Sequence, residues 1–130
     1  WIMTKSRQTL GKWGETQAIT YLLSQGYNIL DKNFRTPYGE LDLIVQSGSG
    51  ENTELVFVEV KTRSSSRFGL PEISVNHRKQ AHLIAAAEHF LSLQKNPPQT
   101  WRIDVIAIEL KADGADPEIT HFENAVTDPD

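Results

Sequence analysis

Two apolar runs, each broken by charge, constrain this chain more than any other feature. They are Gly39-Glu40-Leu41-Asp42-Leu43-Ile44-Val45 and Leu55-Val56-Phe57-Val58-Glu59-Val60-Lys61-Thr62-Arg63, with Ser47-Gly48-Ser49-Gly50 between them. Apolar, β-branched runs flanking a Ser/Gly turn predict a hairpin of two sheet strands. Buried strands are normally continuous hydrophobic runs, yet Asp42, Glu59 and Lys61 interrupt these two. A charge in such a place is costly unless it is paired or binds a metal.

Strand side chains alternate faces, so Glu59 and Lys61 share one side, and Glu40 and Asp42 share one side of the preceding strand. A register that sets Asp42 beside Glu59 brings two carboxylates and an ammonium to one place. Two oxygen donors, completed by a backbone carbonyl and water, suit Mg²⁺ or Mn²⁺. A lysine two residues along can orient water or stabilise developing negative charge. The pattern is thus one for cleaving phosphodiesters. The plainer alternative is a structural ion pair between Lys61 and one of the acids.

Asp42…Glu59-Val60-Lys61 resembles the PD-(D/E)xK motif of restriction-endonuclease-like proteins. Gly14-Glu15-Thr16-Gln17-Ala18, Gly26-Tyr27-Asn28-Ile29-Leu30, Asn33-Phe34-Arg35, Gly39 to Ile44, Phe57 to Arg63 and Phe68-Gly69-Leu70-Pro71 together resemble the YraN family. That bacterial family is related to archaeal Holliday-junction resolvases, and the likeness runs from about Gly11 to Glu109. It implies a restriction-endonuclease-like fold. It also implies metal ligation by Asp42, Glu59 and the Val60 carbonyl, with Glu15 as a helix-borne acid near the metal. Lys61 would be catalytic beside Asp42, Glu59 and Glu15. Lys79 and Gln80 match a lysine–glutamine pair of the family and are substrate-contact candidates.

Charge bears on the partner. The formal net charge is −4, which argues against nucleic acid until its distribution is examined. Residues 113–130 hold six acids and no Lys or Arg, leaving 13 basic against 11 acidic residues in the body. Between Lys61 and Gln80, Lys61, Arg63, Arg67, Arg78 and Lys79 face Glu72 alone. Arg63, Arg67, Arg78, Lys79 and Gln80 are therefore candidate substrate-binding residues, with a solvated surface run as the equal alternative. The sequence contains no cysteine, so neither disulfides nor thiolate zinc sites are available. No apolar run approaches the roughly 18 residues of a membrane span. A cytoplasmic protein without membrane contact is expected.

Along the chain, residues 1–5 are expected as a lead-in. Ser6 to about Gln25 carries a helical period that Gly26 would stop. Tyr27 to Phe34 predicts a first strand, and Ser64 to Pro71 a loop bordering the site. Ser74 to about Gln94 is the clearest helix, ended by Asn96-Pro97-Pro98. Its first turns carry Arg78, Lys79 and Gln80. His77 and His82 are expected at the surface. Trp101 to Leu110 alternates back into the sheet parallel to an earlier strand, with Asp104 supporting the site, pairing with Arg102 or capping an edge. Glu118 to Ala125 suits a short edge strand.

The expected architecture is α/β, a three-layer α-β-β-β-α-β core around a mixed sheet. One domain spans 1–130, with its core at about 6–110 and an acidic extension at 113–130. The expected function is metal-dependent endonucleolytic cleavage of nucleic acid, with DNA, branched or otherwise structured, favoured. Symmetrical junction resolution would require a homodimer. The alternative is a non-cleaving nucleic-acid- or protein-binding module on the same scaffold.

Overall fold

A computed structural model describes residues 2–50, 52–64 and 76–127. The elements follow in the order α1 (Ile2–Ser24), β1 (Asn28–Thr36), β2 (Gly39–Ser47), β3 (Glu54–Arg63), α2 (His77–Ser92), β4 (Trp101–Glu109), a 3₁₀ turn (Ala112–Gly114) and β5 (Glu118–Phe122). The five strands form one sheet in sequence order. The β1–β2, β2–β3 and β4–β5 pairs are antiparallel, and β3–β4 is parallel. The sheet is mixed because two antiparallel strands can be joined by a tight turn, whereas a parallel neighbour needs a long crossover, here supplied by α2.

The helices cover opposite faces, giving the three-layer α/β arrangement of a restriction-endonuclease-like core. On β3, Leu55 and Phe57 belong to the cluster that includes Leu83, Ala86 and Ala87 of α2. Val56 and Val58 belong to the cluster with Ala18 and Leu22 of α1. Alternation along one strand thus divides the core into two layers. On the α2 side, Phe90 and Trp101 each meet the Phe57 ring edge-on at 5.7 Å, and Phe34 meets Phe90 at 5.2 Å. Such edge contacts add about 0.5–1.5 kcal/mol per pair beyond simple burial.

Helix α1 begins at Ile2 rather than Ser6. Nothing from Ile2 to Lys5 is Gly or Pro, so the helix continues backwards through the expected lead-in. It closes as expected, with Gly26 at φ 91°, a left-handed position that favours glycine just after a helix. Helix α2 is capped by Asn76, whose Oδ1 accepts the Lys79 N–H at 2.8 Å. That cap fixes the helix start; Ser74, the expected first residue, lies outside the described residues. His77 and His82 are exposed, as expected. No helix among the described residues is long and apolar enough to cross a membrane.

Candidate metal and nucleic-acid site

The acids meet where β2 and β3 part. The ladder between these strands runs from Ser47↔Glu54 to Leu43↔Val58; one more step would put Asp42 opposite Glu59. At that step the backbone bond is replaced. Asp42 Oδ2 accepts the Val60 N–H at 2.8 Å, so the carboxylate fills the gap between the strands.

The cause lies partly in β1. Phe34↔Leu41 and Lys32↔Leu43 are paired, with Asn33 and Asp42 unpaired between them. Asn33 has φ 53°, a left-handed conformation that asparagine tolerates better than most residues. Leu41 and Ile44 both pack on the α2 side, while Leu43 and Val45 pack on the α1 side. Strict alternation would place Leu41 with Leu43. The β1–β2 register is kept across Asn33 and Asp42 and shifts only between Ile29 and Asp31; β2 changes face opposite the left-handed Asn33, where the Asp42 carboxylate reaches the Val60 N–H.

Glu59 and Lys61 extend the α2-facing series of β3, and Val60 and Thr62 the α1-facing series. Glu59 is 9% exposed. Its Oε1 lies 3.4 Å from Lys79 Nζ, and its Oε2 is buried without a hydrogen-bond partner. In a strand the N–H and C=O of one residue point to the same side, so the Val60 carbonyl faces the same gap as the N–H that Asp42 holds. Lys61 is half-buried, and among the described residues no ion pair engages its ammonium. Burial pushes the Asp42 carboxyl up to about 7, with the neighbouring Glu59 charge as the second cause. Glu15 raises it further, while the Val60 N–H and the Lys79 charge pull it back. Carboxyls of shared charge that cannot all ionise cheaply are what a divalent cation would relieve.

Glu15 stands across the cleft on α1, where its Oε1 accepts the Asn33 amide N–H at 3.0 Å. Gly14 lets α1 approach this closely: a Cβ there would lie 2.1 Å from Thr62 Oγ1. Among the described residues no three Asp, Glu, His or Cys side chains gather into a metal cage of their own. The donor set that fits Mg²⁺ or Mn²⁺ is therefore two carboxylates, one of them with an unengaged buried oxygen, the Val60 carbonyl and water. Mg²⁺ keeps several waters by preference and suits such a sparse set.

The cleft holds about 1050 Å³ and lies on the α1 side, between α1 and the β1–β2 end of the sheet. Asp42, Val60, Thr62, Glu15 and Asn33 line it, together with Lys12, Lys32, Arg35 and Glu40, whereas Glu59 and Lys61, which face α2, are not among its lining residues. The basic residues between Lys61 and Gln80 lie elsewhere. Arg63 Nη2 donates to the buried Glu109 Oε1 at 3.0 Å, so this guanidinium serves the fold as well. Lys79 pairs with Glu59, Arg78 is exposed on the first turn of α2, and Gln80 follows it half-buried. Arg67 lies outside the described residues. Periodicity could not have singled out Lys12 and Lys32 as cleft residues, because they come from different elements. The asparagine at 33, a residue type prone to left-handed backbone, was the available signal for the irregular strand.

Asp104 stands outside the cleft as the hub of a separate polar cluster. It accepts from Arg102 Nε at 2.9 Å and from the Asn124 N–H at 2.8 Å. His121 Nε2 is 2.7 Å from Oδ2, and His121 Nδ1 is 3.0 Å from the Tyr21 hydroxyl. Burial alone would raise the Asp104 carboxyl, but hydrogen bonds from His121, Arg102 and the Asn124 amide, with the Arg102 charge, hold it below the ordinary value. The cluster ties β4, β5 and α1 together.

Comparison with known proteins adds a family. The family described as "Uncharacterised protein family UPF0102" matches residues 14–108. The chain is similar to a UPF0102 protein of Thermodesulfovibrio yellowstonii, 48% identical over 120 residues, covering 92% of this chain and 97% of that protein. A UPF0102 protein of Trichlorobacter lovleyi is 41% identical over 124 residues, covering 95% and 94%. One of Desulforamulus reducens is 41% identical over 125 residues, covering 95% and 100%.

Proposed function

We propose that this chain, which belongs to the UPF0102 (YraN) family, hydrolyses phosphodiester bonds in nucleic acid, DNA in the first place, with a divalent metal ion. The observation that carries this reading is the meeting of Asp42 and Glu59 at the parting of β2 and β3. There one carboxyl is raised to about 7 and the other keeps a buried oxygen without a hydrogen-bond partner. A scaffold built only for stability would pair or replace such groups, because each unsatisfied buried polar atom costs about 1–3 kcal/mol.

Asp42, Glu59 and the Val60 carbonyl would hold Mg²⁺ or Mn²⁺, with Glu15 acting from across the cleft through the hydration shell. When bound, the ion supplies Lewis-acid stabilisation of charge on the phosphoryl oxygens. Lys61, on the same face as Glu59, orients the attacking water and stabilises negative charge as it develops. Lys79 balances the charge of the Glu59 carboxylate, 3.4 Å away.

A second reading rests on that same Lys79–Glu59 pair. If the ammonium already satisfies Glu59, the chain is a non-cleaving binding module on a nuclease scaffold. Purified protein incubated with Mg²⁺ or Mn²⁺ and a panel of single-stranded, duplex and branched DNA separates the two. Nicking that falls by roughly 10²–10³-fold in Lys61→Ala is expected, the usual effect of deleting one transition-state donor. Cleavage that survives Lys61→Ala, or that never appears on any nucleic acid, refutes the enzymatic reading.

A further inference from the structure

We infer that the substrate strand approaches the acids at the parting of β2 and β3 from the α1 side of the sheet, its phosphates held by Lys12, Lys32 and Arg35 rather than by the basic stretch of the sequence. The inference rests on the nuclease reading and names the substrate-binding surface of that same site. On the α2 side Lys79 is engaged by Glu59 and Arg63 by the buried Glu109, which leaves Lys61 beside the acids and the exposed Arg78 on the first turn of α2. On the α1 side, Lys12, Lys32 and Arg35 line the same cleft as Asp42 and Val60. Among the described residues neither Lys12 nor Lys32 enters an ion pair. Arg35 meets Glu40 at 3.5 Å with its own side chain 88% exposed, a contact that water and salt largely screen.

Lys12 belongs to α1, and Lys32 and Arg35 to β1. The cations thus stand on both walls of the cleft, with the carboxylates of Asp42 and Glu15 between them. A phosphodiester backbone laid along the cleft would have its charges met from either side while one phosphate reaches the acids. A cleft of about 1050 Å³ is near the upper end of small-molecule pockets, so it takes a short length of one strand. Its three cations face Glu15, Glu40 and Asp42, which leaves it little net attraction for a polyanion. A divalent cation at the acids supplies that attraction. Metal and strand therefore bind with positive coupling, each raising the affinity of the other by the same factor.

The test uses the full chain carrying Lys61→Ala, so that no probe is cleaved. Fluorescence anisotropy measures the affinity for a labelled oligonucleotide, single-stranded and as a duplex, across a salt series with Mg²⁺ or with chelator. Adding Lys12→Gln, Lys32→Gln and Arg35→Gln together should weaken binding at least roughly tenfold. It should also flatten the salt dependence by about two units of slope for a single strand. Arg78→Gln should do neither, and Mg²⁺ should tighten binding only where the three cations remain. Circular dichroism melts exclude unfolding, and calorimetric Mn²⁺ binding should be retained by the triple variant. Strand binding unchanged by the triple substitution, or lost instead through Arg78→Gln, overturns the inference while leaving the nuclease reading standing. Absence of nucleic-acid binding by the parent protein overturns both.

Discussion

Replacing Asp42 by asparagine should make the metal-free protein more stable at neutral pH while abolishing the proposed activity. The Asp42 carboxyl rises from 3.8 to about 7 on folding, so between those values the folded chain holds a proton that the unfolded chain has released. Stability from this group is fully present below pH about 4 and is lost as pH climbs through about 7. At 1.36 kcal/mol per pKa unit the full loss is about 4 kcal/mol, and solvent reaching the cleft reduces it to about 2–4 kcal/mol. Asparagine carries no charge yet keeps an oxygen for the Val60 N–H. In chelator, urea unfolding across the pH range should show the wild type losing stability between pH about 4 and about 8, with Asp42→Asn nearly flat. The variant should be the more stable by about 2–4 kcal/mol at the alkaline end, a stability gained at the expense of function. Glu59→Gln, by removing the second cause of the raised value, should move the wild-type transition to lower pH. A stability difference that stays constant with pH would refute the account of Asp42 as a strained, proton-sharing acid.

Gly14→Ala should lower stability by about 1–3 kcal/mol, because the new methyl would overlap Thr62 Oγ1; adding Thr62→Ala should recover part of the loss in thermal melts. Asp104→Ala removes the buried hub that Arg102, His121 and the Asn124 amide share, leaving Arg102 to Glu54, Glu123 and the Tyr27 hydroxyl. A loss of about 3–5 kcal/mol is expected, with a urea midpoint unchanged from wild type counting against it. Since Asp104 is held low, its own stabilisation is present above pH about 4 and disappears on further acidification, so wild type and Asp104→Asn should converge in stability at acid pH.

Most of the scaffold was legible because it depends on short-range pattern. The alternation of β3 and β4, the 3.6-residue period of α2 and the turn at Ser47 to Gly50 each express their geometry in adjacent residues. The β2–β3 register that leads toward Asp42 and Glu59 was legible too, since a hairpin register is set by its turn. The manner of their meeting was not. Alternation predicts that Asp42 projects from a face, whereas β2 changes face between Leu41 and Leu43 and the Asp42 carboxylate meets the Val60 N–H of the neighbouring strand. Arg63 illustrates the other limit. In sequence it belongs to a basic stretch, but Glu109, 46 residues later, claims its guanidinium across a parallel pairing. Lys12 and Lys32 escaped notice for the same reason, as partners brought together only by the docking of α1. Asp104 offered three outcomes in the sequence, the site, Arg102 or an edge; the structure selects Arg102 and adds His121.

The hydrogen bond from Val60 to Asp42 makes one peptide proton a built-in gauge of the site. Whatever alters the ionisation or occupancy of that carboxylate must register first in the amide resonance of residue 60 and in how fast its hydrogen exchanges with solvent. A titration followed at that single nucleus would report the state of the acids without any substrate, label or turnover.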